Sequence, residues 1–234
     1  MLPEAAPLPS AVARGVAGGS AQAEYDKRHA RHLKKVESKW GTGAIGQIAK
    51  AVIDEPQHVT AWKKGAEGEK RLSDLLHRQL GEGAVVLDDL SVPGTKANVD
   101  HIVVAASGVW IVDAKNYKGK VEMRSGGTWR KRSVLLFVNG RDRSKLIDMM
   151  GWQVDAVSKA LDAVGVDSIP IRPALCFINS DFPLFGGTGL IRDVWVGHGR
   201  GLVREIRKDH ALAGDQVQLI AAALAQQLPA IQAS

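Results

Sequence analysis

The stretch NVDHIVVAASGVWIVDAKNYKG, residues 98–119, constrains the fold more than any other part of the chain. Two apolar, β-branched runs flank Ser107-Gly108, the composition of a hairpin closed by a two-residue turn. Three charges, Asp100, Asp113 and Lys115, interrupt the strand faces. With Ser107-Gly108 as the central turn residues, Asp100 is expected opposite Lys115, Ile102 opposite Asp113 and Val104 opposite Ile111. Opposed residues share a sheet face, and so do residues two apart on one strand, so the three charges gather on one face within roughly 8 Å while Ala114 points to the other. A one-residue slip of register would scatter them.

Asp is a poor strand former, and two carboxylates on a half-buried sheet repel each other and lose hydration. Something must compensate. Lys115 alone could neutralise one of them as a buried salt bridge of uncertain net value. A divalent cation does more, because hard carboxylate oxygens suit Mg²⁺ or Mn²⁺ and the metal keeps both carboxylates ionised. Lys115 is then free for chemistry. A cation beside a lysine suits phosphodiester hydrolysis: the cation polarises the phosphate and lowers the pKa of a bound water, and the ammonium orients that water or offsets developing charge.

Upstream, Leu72, Leu75, Leu76 and Leu80 mark the apolar stripe of a helix, and Glu69 falls on it, three residues before Leu72. An acid is therefore expected on the inward face, able to supply a further oxygen ligand or hold a water. Gly65 and Gly68 each weaken this helix by about 1 kcal/mol relative to Ala, which suits a bend or a close approach. Downstream, AVVLDDLSV, VEMRS, GTWRKR, VLLFV and VWVG read as short strands, with Asn139-Gly140 as a tight turn. Leu146, Met149, Met150, Val154, Val157 and Leu161 give a helical stripe that also carries Gln153. IRPALCFIN, residues 171–179, is apolar throughout, as a strand buried on both faces beside parallel neighbours is. Val217, Ile220, Ala221, Leu224 and Leu228 mark a last amphipathic helix. Helix, antiparallel strands, helix, buried strand and terminal helix make an α/β fold around one mixed sheet flanked by helices.

With 234 residues, 45% of them hydrophobic, the chain can bury one good-sized core and carry an extension. Residues 1–20, rich in Ala, Pro, Gly and Ser, are expected to be a disordered arm. Residues 21–64 read as a basic helical extension, with Lys27, Arg28, Arg31, Lys34, Lys35 and Lys39 set against Glu24, Asp26 and Glu37; it is either a solvated charged face or a phosphate-contacting arm. GTGAIGQIAKAVI, residues 41–53, reads as a loop and short apolar helix within it. Residues 65–230 form the main domain. No run of roughly 18 apolar residues and no signal-peptide pattern is present, so a cytoplasmic protein without membrane partners is expected. The single cysteine, Cys176, excludes an intramolecular disulfide and reads as a buried thiol. A net charge of +6 permits an anionic partner such as nucleic acid. The tryptophans, however, are scattered along the sequence and not interleaved with the basic clusters as in a single-strand stacking groove.

The ordered set GAEGE (65–69), VDHIVV (99–104), GVWIVDAKN (108–116) and an inward Gln153 resembles the nuclease-related domain family, a branch of the PD-(D/E)XK nuclease superfamily, over roughly residues 65–180. The resemblance implies a restriction-endonuclease-like αβββαβ core. It also implies Asp100 and Asp113 as metal ligands, the Ala114 carbonyl as a third, Lys115 as the catalytic lysine and Glu69 as the helix-borne acid. Gln153 matches a second-helix glutamine near the site in some branches. Asp113 stands where many relatives have Glu, one methylene shorter in reach. His101 alternates to the face opposite Asp100, as a packing or supporting residue would, and Asn116 is expected to cap the strand end. Arg130, Lys131, Arg132, Arg141, Arg143 and Lys145 either line a phosphate groove or protect sheet edges.

The reading that follows is a Mg²⁺- or Mn²⁺-dependent nuclease acting on nucleic acid, DNA foremost. Two others stand beside it: a non-catalytic nucleic-acid-binding or interaction module on the same fold, and a core salt-bridge network. A pure binding module has no need for crowded carboxylates, and the salt-bridge network leaves Glu69 unexplained.

Overall fold

The hairpin forms, with its turn one residue earlier than the sequence suggests. In the computed structural model, which describes residues 14–41, 43, 56–126, 133–166, 168–183, 187–209 and 211–231, strands β2 (Asn98–Ala105) and β3 (Gly108–Lys115) close around Ala106-Ser107. Val104 pairs with Val109 and Ile102 with Ile111, in place of the expected Val104–Ile111 pair. The reason lies outside the hairpin. Ser107 is buried: its hydroxyl donates to the Ile206 carbonyl at 2.6 Å and accepts from Trp110 Nε1 at 2.9 Å. Gly108, at φ +118°, lies so close to Pro170 that a Cβ would meet its carbonyl oxygen at 2.5 Å. The pairing moves each residue's partner by two positions, so every side chain keeps its face.

Helix α1 (Gly19–Trp40) packs against α2 (Gln57–Leu80), which buries Leu72 and Leu76 on the central sheet and ends at Gly81. Strand β1 (Ala84–Ser91) then pairs antiparallel with β2. After β3 come β4 (Gly119–Gly126), β5 (Ser133–Val138) and the short β6 (Arg141–Asp142), then helix α3 (Lys145–Asp162). Asn139 and Gly140, both at positive φ, make the tight β5–β6 turn. Strand β7 (Ile171–Phe177) and the short β8 (Ser180–Asp181) and β9 (Gly189–Ile191) lead to β10 (Val194–His198), α4 (Gly199–Ile206) and α5 (Gly214–Gln227).

The core order α2-β1-β2-β3-α3-β7 is the expected αβββαβ, with a β4–β6 excursion before its second helix. The expected single sheet is two among the described residues: a six-stranded mixed sheet ordered β1-β2-β3-β7-β10-β9 and a four-stranded one ordered β6-β5-β4-β8. β7 runs between β3 and β10, parallel to both, which is why its sequence is apolar on both faces. One face of the large sheet buries Ile102, Val104, Val109 and Ile111 against α3 and α5. The other buries Val103, Trp110 and Val112 against α2 and α4. On α3 the inward stripe is Ile147, Met150, Gln153, Val157, Ala160 and Leu161; Met149, expected inward, is 52% exposed because the stripe is rotated toward Ile147.

Residues 14–20, counted with the arm by their composition, are held against the domain. The Asp88 amide donates to the Arg14 carbonyl at 2.6 Å, and Asp89 accepts from the Ser20 amide and hydroxyl at 2.5 and 2.7 Å. Asp89, 69 residues away in sequence, thereby serves as the acidic cap of α1, where the helix dipole favours negative charge. The boundary drawn between residues 64 and 65 falls inside α2, one unbroken helix. Residues 1–13, 44–55 and 127–132, with the apolar helix read at 41–53 and the cluster Arg130, Lys131 and Arg132, lie outside the described residues. Cys176 is buried in β7, and burial pushes its thiol far up, as expected of an inert cysteine. Among the described residues no helix is long and apolar enough to cross a membrane.

Candidate active site

The ends of β2, β3 and α2 meet around a cleft of about 420 Å³ whose lining includes Trp62, Lys64, Gly65, Glu69, Asp100, Ala114, Lys115, Asn116 and Tyr117. Each charged side chain arrives by a separate device. Asp100 stands near the start of β2 and Asp113 near the end of β3, so the antiparallel pairing carries them to the same end of the sheet, where their carboxyls interact. The paired ladder ends at His101–Val112, and Ile102 pairs with Ile111 where the sequence suggested Ile102 opposite Asp113 and Asp100 opposite Lys115. Glu69 enters from α2, one helical turn before Leu72.

The cluster is electrostatically crowded. Burial, then Asp113, then Glu69 push the Asp100 carboxyl well above the usual carboxylate range, and Lys115 offsets this only in part. Asp100 Oδ2 accepts from the Ala114 amide at 3.3 Å. Burial raises Glu69 too; His101 counters it, while Asp89 and Asp113 add to it. Glu69 Oε2 is buried without a hydrogen-bond partner. Burial alone would lower the Lys115 ammonium, but Asp113 and Asp100 outweigh it and hold it above the ordinary lysine value. Lys115 Nζ donates to Asp113 Oδ1. Among the described residues no three His, Cys, Asp or Glu side chains form a ready metal cage. The donors are a facing aspartate pair, a glutamate with a free oxygen and, at the same strand end, the Ala114 backbone.

Asn116 ties this end of the sheet down. Its Nδ2 donates to the Lys64 carbonyl of α2 at 2.5 Å, and its Oδ1 accepts from Asn179, just past β7, also at 2.5 Å. Gly68 makes this crossing possible, since a Cβ there would lie 2.8 Å from Asn116 Cβ. A Cβ at Gly65 would meet Glu69 Oε1 at 3.9 Å, an ordinary contact, and Gly65 forms part of the cleft wall. Gln153 lies buried on the face of α3 turned to the sheet side that carries Asp100 and Asp113. Its Nε2 approaches Met150 Sδ at 3.7 Å and its Oε1 is buried unpartnered; it does not line the cleft.

A second polar network was not legible beforehand. Asp88, on β1, accepts from His101 Nδ1 at 2.7 Å and from Ser73 Oγ at 2.7 Å, with His77 Nε2 at 3.3 Å. Burial alone would raise Asp88, but these bonds outweigh it and hold its carboxyl low. The signal available in the sequence was LDDL itself, two acids inside an apolar strand. Arg143, from the basic pair after Asn139-Gly140, packs over the Tyr117 ring at 5.5 Å, on the rim of the cleft.

Residues 64–178 match the family model of the nuclease-related domain. Among curated proteins, an uncharacterized protein of Bacillus anthracis is 35% identical over 86 residues, covering 33% of this chain and 40% of that protein, so the chain spans well under half of that relative's length. No solved structure matches the chain.

Proposed function

We propose, from the match of residues 64–178 to the family model of the nuclease-related domain, that the chain is a nuclease that hydrolyses phosphodiester bonds of nucleic acid, DNA foremost, with a divalent cation. The observation that carries this is the gathering of Glu69, Asp100 and Lys115 on the wall of one cleft, with Asp113 buried behind them and bonded to Lys115. Asp100 and Glu69, held above the ordinary carboxylate range, with a Glu69 oxygen left unpartnered in the interior, are poised for a cation and a water that a structural network would not need. Asp100 and Asp113 would hold Mg²⁺ or Mn²⁺ together with the Ala114 carbonyl. When bound, the cation would polarise the phosphate and lower the pKa of an attached water.

The rest falls to the chain's own side chains. Lys115 stays charged beside the two aspartates and offsets negative charge building on the phosphate in the transition state. Glu69 offers its free oxygen to orient a water or take its proton. Gln153 supports the aspartate face from α3, at a distance from the cleft.

A second reading, a nucleic-acid-binding module without catalysis, is favoured by the closed Lys115–Asp113 pair and the lack of a three-carboxylate cage among the described residues. Cleavage of DNA and RNA by the purified chain with Mg²⁺ or Mn²⁺ separates the two. Wild type should cleave, and Asp113→Ala and Lys115→Ala should each lose at least roughly 100-fold in rate, the scale of losing one preorganised charge at the reacting centre. No cleavage under any metal condition, or equal cleavage by both variants, sinks the catalytic reading.

A further inference from the structure

The indole of Trp62 is 39% exposed, belongs to neither core cluster, and stands on the rim of the cleft that holds Glu69, Asp100 and Lys115. The sequence places it 34 residues from Arg28, yet the packing of α1 on α2 sets the Arg28 guanidinium over its ring at 5.2 Å from the centroid. Arg28 is itself anchored, its Nε bonded to Glu24 Oε1 at 2.6 Å. Lys27, Arg31, Lys34 and Lys35 are exposed along the same helix, and on α2 the exposed Lys63, over the Tyr25 ring at 5.9 Å, and Lys64, on the cleft wall, follow Trp62. Part of the ring stays open to solvent while an anchored cation holds it beside a cleft lined by Glu69, Asp100 and Lys115, an arrangement suited to binding a planar group.

We propose that Trp62 is a stacking platform for an unpaired base, and that the strand it holds is a single-stranded polynucleotide whose phosphates follow the basic face of α1 toward the cleft. The proposal rests on the cleft being a phosphodiester site. A flat indole takes any base by its π face, but in a duplex the neighbouring pairs already cover both faces of each base, so stacking selects an unpaired one. The cationic surround supplies the sequence-independent attraction to phosphate. An exposed Trp rimmed by Arg would also suit a protein partner; the lysines on both helices and the shared cleft with Lys115 favour the polyanion.

The test is binding, measured by fluorescence anisotropy in EDTA so that cleavage plays no part. The probes are labelled oligo(dT), oligo(U) and a duplex of equal length. Trp62→Ala should weaken single-strand binding roughly 5- to 100-fold, the loss expected for one stacked base, and leave duplex binding within about twofold. Trp62→Phe should keep most of the affinity, and thermal melts of both variants check that they fold. A Lys27→Gln/Arg31→Gln variant should weaken both kinds of binding and flatten their salt dependence. The proposal is overturned if Trp62→Ala binds single strands as wild type does, if duplex binding falls equally, or if wild type binds no single strand, as a protein-docking indole would predict. Cleavage that persists beside Trp62-independent binding sinks this proposal and spares the catalytic one. Trp62-dependent binding with no cleavage in any metal does the reverse.

Discussion

Two acids stand on neighbouring strands, Asp88 buried and Asp100 half-buried, and they differ in whether their charge is answered. Asp88 on β1 is fully served: a histidine ring, a serine hydroxyl and a second histidine surround it, and its carboxyl is held low. Asp100 on β2 faces another aspartate and a glutamate with one lysine among them, and its carboxyl is held high. Both belong to the same sheet, so burial alone does not explain the difference; the partners do. A satisfied acid stabilises the fold, whereas a crowded one lowers stability unless a ligand relieves it, the usual condition of a working site.

The largest effect expected from this contrast is on stability. Asp88→Ala leaves a fully buried His101 ring nitrogen and the Ser73 hydroxyl without their partner and should cost about 2–3 kcal/mol in denaturant unfolding, the scale of leaving buried polar groups unsatisfied. A loss under about 1 kcal/mol would remove Asp88 from the structural side of the comparison.

Gly68→Ala tests the functional end by position instead of charge. The added methyl must displace Asn116, which links α2, β3 and β7 beside Lys115. A loss of about 1–2 kcal/mol is expected from overpacking, with cleavage falling further than the lost stability explains. Unchanged cleavage would mean that the strand end needs no such tie.

The smallest effect is expected from Asp100→Asn, and it separates the clusters by sign. Asp100 and Glu69 are raised in the fold, so the native state keeps protons that the unfolded chain has already released, and stability should fall as pH rises above about 4. Asp88 is lowered, so its contribution is present above its unfolded value and disappears as pH falls through its folded one. Unfolding free energies between pH 4 and 8, without metal, should show a shallower decline in Asp100→Asn than in wild type, with a small net gain at neutral pH. Parallel curves would mean that Asp100 is not crowded in solution.

Periodicity and turn residues carried much of the fold. The two-faced hydrophobicity of residues 171–179 announced a central parallel strand, and the Glu69, Leu72, Leu76 spacing put an acid on the inward side of its helix. The expected hairpin was enough to bring Asp100 and Asp113 to one end of the sheet, because antiparallel strands set the start of one beside the end of the other. What could not be read is what long-range packing chooses. The turn moved because Ser107 found the end of α4 and Gly108 found Pro170, contacts made across 99 and 62 residues. Asp89 looked like a second acid in a strand and is the cap of a helix 69 residues earlier. Trp62 looked isolated in the sequence, and only the packing of α1 on α2 sets it beside Arg28.

By itself the sequence determined the order of elements, the inward acid and the end of the hairpin where its charges gather, since these follow from local period and strand pairing. Tertiary structure alone decided the exact partners, which acid is satisfied and which is crowded, and which aromatic meets the basic helix. Those depend on distances between segments far apart in the chain, and no local pattern encodes them.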